Sequence, residues 1–272
     1  MYDEPYRWIE AVGNRRQYLD EQFRQGSPVV AVSYADGILL LTVSRGTPKL
    51  YEVYDRIGLA GMGHPADLEK LRFSLLETAH IEGFNRSPSD VTAGRLMKHA
   101  LAPTIKQAFE EVYKAPFIVK ILLADLTFRS PRNGRPQDAF LTVDYDGTFE
   151  ETSDFGILAA TKAARAHMSA YLTGSADLAS ASLERALQIA IHTWAVGSLS
   201  QASDSHEHEE PESGGHTQQA DAPVTDDGQL AAHLRHELAD KTIETAVLER
   251  HTPGTSKYRT LKKEELASLI PC

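Results

Sequence analysis

The chain has a single cysteine in 272 residues, Cys272 at its last position. One thiol cannot form an internal disulfide framework, and it cannot build a cysteine-rich zinc site. Long apolar runs are also missing. No stretch approaches the roughly 18 consecutive apolar residues of a membrane span, and Met1 to Arg16 carries too many charges for a secretion signal. These absences predict a cytoplasmic protein with no membrane partner. Basic excess is lacking as well: the formal net charge is -10. Non-specific nucleic-acid binding needs a basic surface that displaces phosphate counterions, so no nucleic-acid partner is expected.

The charge is unevenly distributed. Residues 201–229 hold Asp204, Glu207, Glu209, Glu210, Glu212, Asp221, Asp226 and Asp227 and no Lys or Arg. The surrounding stretch 200–229 has no apolar period and is rich in Ser, His, Gln, Pro and Gly. Such a composition cannot offset its own ordering entropy, so a disordered acidic insertion is expected there. His206, His208 and His216 stand among its carboxylates. Without cysteine or helical spacing they predict adventitious metal affinity and no built metal site.

What is present is a regular order of elements. An N-terminal helix is expected from about Pro5 to Gln25, softly interrupted at Gly13. Strands follow at Val29–Tyr34 and Ile38–Val43, joined through Ala35-Asp36-Gly37, where Asp-Gly is a hairpin signal. Further strand pieces are expected at Lys49–Val53 and Arg56–Met62. Two helices come next. The first, Pro65–Phe84, repeats Leu68, Leu71, Leu75, Leu76 and Ala79 at three-and-four spacing. The second, Asp90–Tyr113, should kink at Pro103, which lacks a backbone N–H. Strands at Phe117–Thr127, Ala139–Tyr145 and Phe155–Leu158 lead to helices at Thr161–Leu172 and Leu178–Leu199. The chain closes with strands at Lys241–Leu248 and Lys257–Leu261 and a helix at Lys263–Ile270. Clustered strands and paired helices favour an α+β fold: two stacked antiparallel sheets flanked by helices, a four-layer α-β-β-α sandwich.

Three segments carry a family likeness. Gly26 to Val32, Pro48 to Gly61 and Leu68 to Arg72, in this order and spacing, resemble the proteasome branch of the N-terminal-nucleophile (Ntn) hydrolase fold, and within it the bacterial α-type subunits. Ile243 to Arg250, followed by Tyr258 to Leu261 and a terminal helix, resembles their closing segment. The likeness covers about residues 5–199 and about 238–270. It implies one domain, 1–272, with an N-terminal gate segment and helix at 1–26, the insertion at 200–229 inside it, and closing elements at 238–272.

The resemblance also implies a role. Alpha-type subunits form a heptameric ring with their own kind, cap rings of catalytic β subunits, gate the entrance and receive an activator ATPase. They are non-catalytic members of a threonine-type endopeptidase complex, and no cofactor is implied. Proteolytic relatives attack with the first residue of the mature chain, its freed amine serving as base. Here that position falls on Ser27. The supporting acid falls on Val43, and the supporting hydroxyls fall on Gly156-Ile157-Leu158-Ala159-Ala160, which has none. Lys49 matches the family lysine. A nucleophile without its partners is not expected to cleave peptides, because these groups act as a unit. The alternative is a self-processing hydrolase that uses Ser27 after cleavage behind Gly26.

The likeness also nominates Lys49 and Gly26 for a pocket that binds an activator's terminal carboxylate. His64 stands near the third position, where relatives carry an apolar residue. Lys49 is otherwise a surface lysine at a strand start. Tyr2, Asp3 and Tyr6 would precede the first helix and line the gate, or fray as an ordinary terminus. Trp8 and Tyr18 would pack on a neighbouring subunit or on the local core. Asp144 and Asp146 read as turn formers beside Gly147, and His80, His99 and His192 as structural.

Overall fold

The structure, a computed structural model, describes residues 4–111, 113–127, 138–175, 178–207 and 227–269. Among the described residues, ten strands form two antiparallel sheets. The first contains β1 (Val29–Tyr34), β2 (Gly37–Ser44), β8 (Phe155–Leu158), β9 (Thr242–Glu249) and β10 (Tyr258–Thr260), in the order β10-β9-β2-β1-β8. The second contains β3 (Leu50–Tyr54), β4 (Ile57–Gly63), β5 (Val119–Asp125), β6 (Ala139–Val143) and β7 (Phe149–Thr152), in that order.

The helices divide between the two outer faces. Beside the second sheet lie α2 (Pro65–Asn85), α3 (Ala93–Leu96) and α4 (Ala102–Glu110). Beside the first lie α5 (Lys162–Gly174) and α6 (Leu183–Glu207), with α7 (Asp227–Glu237) and α8 (Lys263–Leu269) at its margin. Three apolar cores separate four layers. One joins α5 and α6 to the first sheet, one fills the space between the sheets, and one joins the second sheet to α2–α4. This is the four-layer α-β-β-α arrangement expected from the element order.

Burial on both faces explains the near-continuous apolar runs of the central strands, where a half-exposed strand would alternate. In β1, Val30 and Val32 face the helices while Val29 and Ala31 face the other sheet. Tyr34 pairs with Gly37 across the two-residue turn Ala35–Asp36. Gly37 is needed for a reason other than its turn: a Cβ there would lie 1.8 Å from the Leu248 carbonyl oxygen of β9.

The second predicted helix is broken, and Pro103 is the reason. A five-residue π turn over Met97–Leu101 separates α3 from α4, and the Ala102 N–H reaches back to the Met97 carbonyl. The wider turn accommodates the ring and missing donor of Pro103, so the predicted kink takes the form of a π bulge. Helix α1 (Glu4–Phe23), by contrast, runs through Gly13 without a break. Tyr6 therefore lies inside it and does not precede it, while Tyr2 and Asp3 lie outside the described residues.

Two further differences concern α6 and α7. The segment expected to lose structure at 200 remains helical to Glu207, with Ser200 and Gln201 buried, and helix resumes at Asp227, which the sequence did not predict. Residues 208–226, with His208 and His216, lie outside the described residues, as do residues 128–137 between β5 and β6. Among the described residues, no group of three or more His, Cys, Asp or Glu side chains could hold a metal ion. Nor is any described helix long and apolar enough to cross a membrane.

Candidate functional site

The N-terminal helix determines what surrounds Ser27. Leu19 and Phe23, both fully buried, insert the last turns of α1 into the core between the sheets. Arg15 fixes its outer side, donating to the carbonyls of Ala108, Phe109, Glu111 and Lys114 at and beyond the end of α4. A guanidinium there satisfies the orphan acceptors and complements the helix dipole. Tyr145 donates its hydroxyl to Asp20 at 2.8 Å, and its ring stacks on Phe23. Burial, aided by the bond to Asp20, pushes the Tyr145 phenol upward.

The chain then turns at Gly26, whose N–H donates to the Phe23 carbonyl at 2.7 Å. A Cβ at Gly26 would sit 2.9 Å from both that oxygen and Met62 Sδ. Ser27 follows at the head of β1. Its Oγ accepts the Trp194 indole N–H at 3.0 Å and lies 3.5 Å from Thr42 Oγ1. Thr42 in turn donates to the Pro28 carbonyl at 2.8 Å. Neither neighbour is a base. Val43, at the acid's position, is buried in the core beneath α5 and α6 and pairs with Ile243.

Gln201 binds the same junction from α6. With its amide oriented to satisfy both ends, its NH2 donates to the Gly26 carbonyl at 3.0 Å and its oxygen accepts from the Ala160 N–H at 2.9 Å. The segment lacking hydroxyls, 156–160, is thus tied to the head of β1 through an amide. Sequence reasoning missed both Gln201 and Trp194. Trp194 sits in an apolar helix without a motif, and Gln201 sits where composition turns polar.

Lys49, Gly26 and His64 each adjoin β4. The Lys49 carbonyl accepts from Gly61 N–H at 2.9 Å, a Cβ on Gly26 would meet Met62, and His64 follows Gly63. The Glu244 carboxylate of β9 caps the start of β3, accepting from Lys49 N–H and Leu50 N–H, each at 2.9 Å. The Lys49 side chain is half-buried. Burial lowers the pKa of its ammonium, with Lys241 adding to the effect and Glu244 opposing it. His64 has a structural duty. Its Nδ1 accepts from Ala66 N–H at 3.2 Å as the N-cap of α2, ahead of Pro65, and its ring is exposed.

A cleft of about 680 Å3 opens elsewhere, between α1, the β6–β7 turn and the start of α5, with Gln201 at its wall. Its charges are largely paired: Arg16 with Asp146, Lys120 with Asp144 and Arg165 with Glu150. Asp144 and Asp146 also form the turn at Gly147, which has φ +82°, as their spacing predicted.

The chain is 29% identical over 261 residues to a proteasome subunit alpha of Actinosynnema mirum, covering 94% of this chain and 83% of that protein. The corresponding protein of Thermobifida fusca is 26% identical over 261 residues, covering 94% and 86%. The chain is a relative of the bacterial proteasome α subunits. The Streptosporangium roseum proteasome subunit alpha reaches 34% identity over 142 residues, about half of each chain. No family model matches the chain. The α-subunit likeness spans both sheets and the helices on both sides of Ser27, and its alignment with two relatives runs almost the whole length of the chain.

Proposed function

We propose that this chain is a non-catalytic α-ring subunit of a bacterial proteasome core particle. In this reading it forms a heptameric ring with copies of itself, caps a ring of catalytic β subunits in the cytoplasm, and gates entry with its N-terminal segment, including Tyr2, Asp3 and Tyr6. The observation that carries the reading is the setting of Ser27: its hydroxyl is bound by an indole and lies beside a threonine, and α1 is built into the core in front of it. Removing residues 1–26 to free an amine would extract Leu19 and Phe23 from between the sheets. Burying each such side chain is worth about 1.5–3 kcal/mol.

One observation favours the alternative, a self-processing hydrolase: the Gln201 amide donates to the Gly26 carbonyl, the group that Ser27 would attack. Polarising that carbonyl is not enough, because no base faces Ser27 Oγ among the described residues. The two readings separate on peptide cleavage by the purified chain. The α-ring reading expects none, and activity lost in Ser27→Ala would establish the alternative.

Docking of an activator ATPase is assigned to Lys49, with Gly26 and His64 beside it, in a pocket completed by the neighbouring copy. A terminal carboxylate meeting the Lys49 ammonium would make a charge-assisted hydrogen bond worth roughly 1.5–3 kcal/mol. Lys49→Ala should therefore weaken activator binding by about ten- to a hundredfold. Assembly, checked by gel filtration, and β-subunit cleavage of small peptides should both persist. Unchanged affinity in an assembled ring would return Lys49 to the role of a surface lysine.

A further inference from the structure

Helix α7 is held to α6 through an imidazole. His233 lies nearly parallel to the Trp194 ring, with centroids 6.4 Å apart and an interplanar angle of 19°. Its Nε2 is 2.9 Å from Ser198 Oγ. Buried Leu230 and half-buried Leu234 add apolar contacts with the same core. At 11 residues, α7 is too short to be stable as an isolated helix, so its order depends on this docking. Trp194 thus meets α7 on one side and, through its N–H, Ser27 at the head of β1.

We propose that α7 is a pH-sensitive latch, seated on α6 while the His233 imidazole is neutral and released as that imidazole takes a proton. Docking half-buries the ring against an indole, and this partial loss of water penalises the charged form. The groups that face it do not reverse this. Lys241 and His236 oppose a positive charge, Glu237 supports one, and burial is the largest influence, so protonation is harder in the docked state than in a free imidazole. From α6 it meets the uncharged Trp194 and Ser198. His167 of α5 is engaged with Ser200. At 6.4 Å the Trp194 ring lies beyond the roughly 6 Å range of a strong cation–π contact, so it compensates little.

The direction follows from linkage. Undocked, His233 titrates near the ordinary value of 6.5, and docked it titrates lower. The released state therefore binds more protons, and latch stability is fully present above about pH 6.5 and lost as pH falls through and below it. At pH 5.5 the shift toward release amounts to at most about tenfold.

The test uses the full chain with Trp8→Phe, which leaves Trp194 as the only tryptophan. Its fluorescence is followed from pH 8 to pH 5, with hydrogen exchange of a peptide covering 229–238 corrected for intrinsic rates. The expected result is a fluorescence transition with its midpoint below 6.5 and an exchange rise of up to about tenfold by pH 5.5. Both should disappear in His233→Phe, or in His233→Gln if the phenylalanine variant does not fold, and both should survive His167→Gln. A flat fluorescence profile in the parent, or the same transition without His233, would overturn the proposal.

Discussion

Replacing Asp138 by alanine should lower stability by about 3–5 kcal/mol, because it strips the partner from a buried charge. Asp138 is 2% exposed and stands immediately before β6. Its carboxylate accepts from Ser33 Oγ of β1 at 3.0 Å, from Thr127 N–H after β5 at 3.0 Å, and from the Arg250 guanidinium beyond β9. Arg250 also donates to the Thr127 carbonyl. One carboxylate thus joins both sheets, and its removal takes the counter-ion from the Arg250 guanidinium and the acceptor from an N–H and a hydroxyl at once. For a chain of this size the loss corresponds to a fall in melting temperature of about 6–20 °C. The double variant Asp138→Ala with Arg250→Ala should lose less than the two single losses added together, as coupled partners do. A single-variant loss below about 1 kcal/mol would mean that water replaces the carboxylate at little cost.

Trp194→Ala should cost a similar amount, about 3–5 kcal/mol, for a different reason. Trp194 is 1% exposed and is among the largest fully buried side chains of the protein. Deleting it leaves a cavity beneath the first sheet and removes the surface on which His233 rests. Trp194→Phe separates packing from hydrogen bonding. It keeps most of the ring volume but leaves Ser27 Oγ without its N–H donor, so the smaller loss of roughly 1 kcal/mol is expected. Denaturant unfolding of the three proteins checks the order parent, phenylalanine, alanine. Equal losses in the two variants would place the whole effect on the Ser27 bond.

How much of this was legible in the sequence depended on periodicity. The valine and leucine runs of β1 and β2 are buried on both faces, and the three-and-four leucine spacing of α2 follows its buried side. Both survive in one-dimensional reading because each residue's environment repeats along the chain. Strand β7 escaped, since all four of its residues are exposed and Phe-Glu-Glu-Thr shows no alternation. Helix α7 escaped because its stability comes from tertiary contacts of Leu230, His233 and Leu234 and not from a strong apolar stripe.

The candidate site divides in the same way. Val43 and the segment 156–160 could be identified as missing chemical groups, since absence of a carboxylate or hydroxyl is visible in the letters. The groups that occupy Ser27 and Gly26 come from 167 and 175 positions away, Trp194 and Gln201, and only folding brings them there. His64 shows the reverse case. Its position resembled a pocket site, yet its local sequence, followed by Pro65 and Asp67, equally suits the N-cap of α2 that it forms.

The central claim, an α-ring subunit that keeps its N-terminal helix and does not process itself, is tested most directly by native mass spectrometry of the chain co-expressed with a proteasome β subunit from the same genome. The account predicts a particle that holds this chain in heptameric rings, each copy at full mass with residues 1–26 retained and the Gly26–Ser27 bond intact. A chain that stays outside the particle, or one shortened to begin at Ser27, would contradict it.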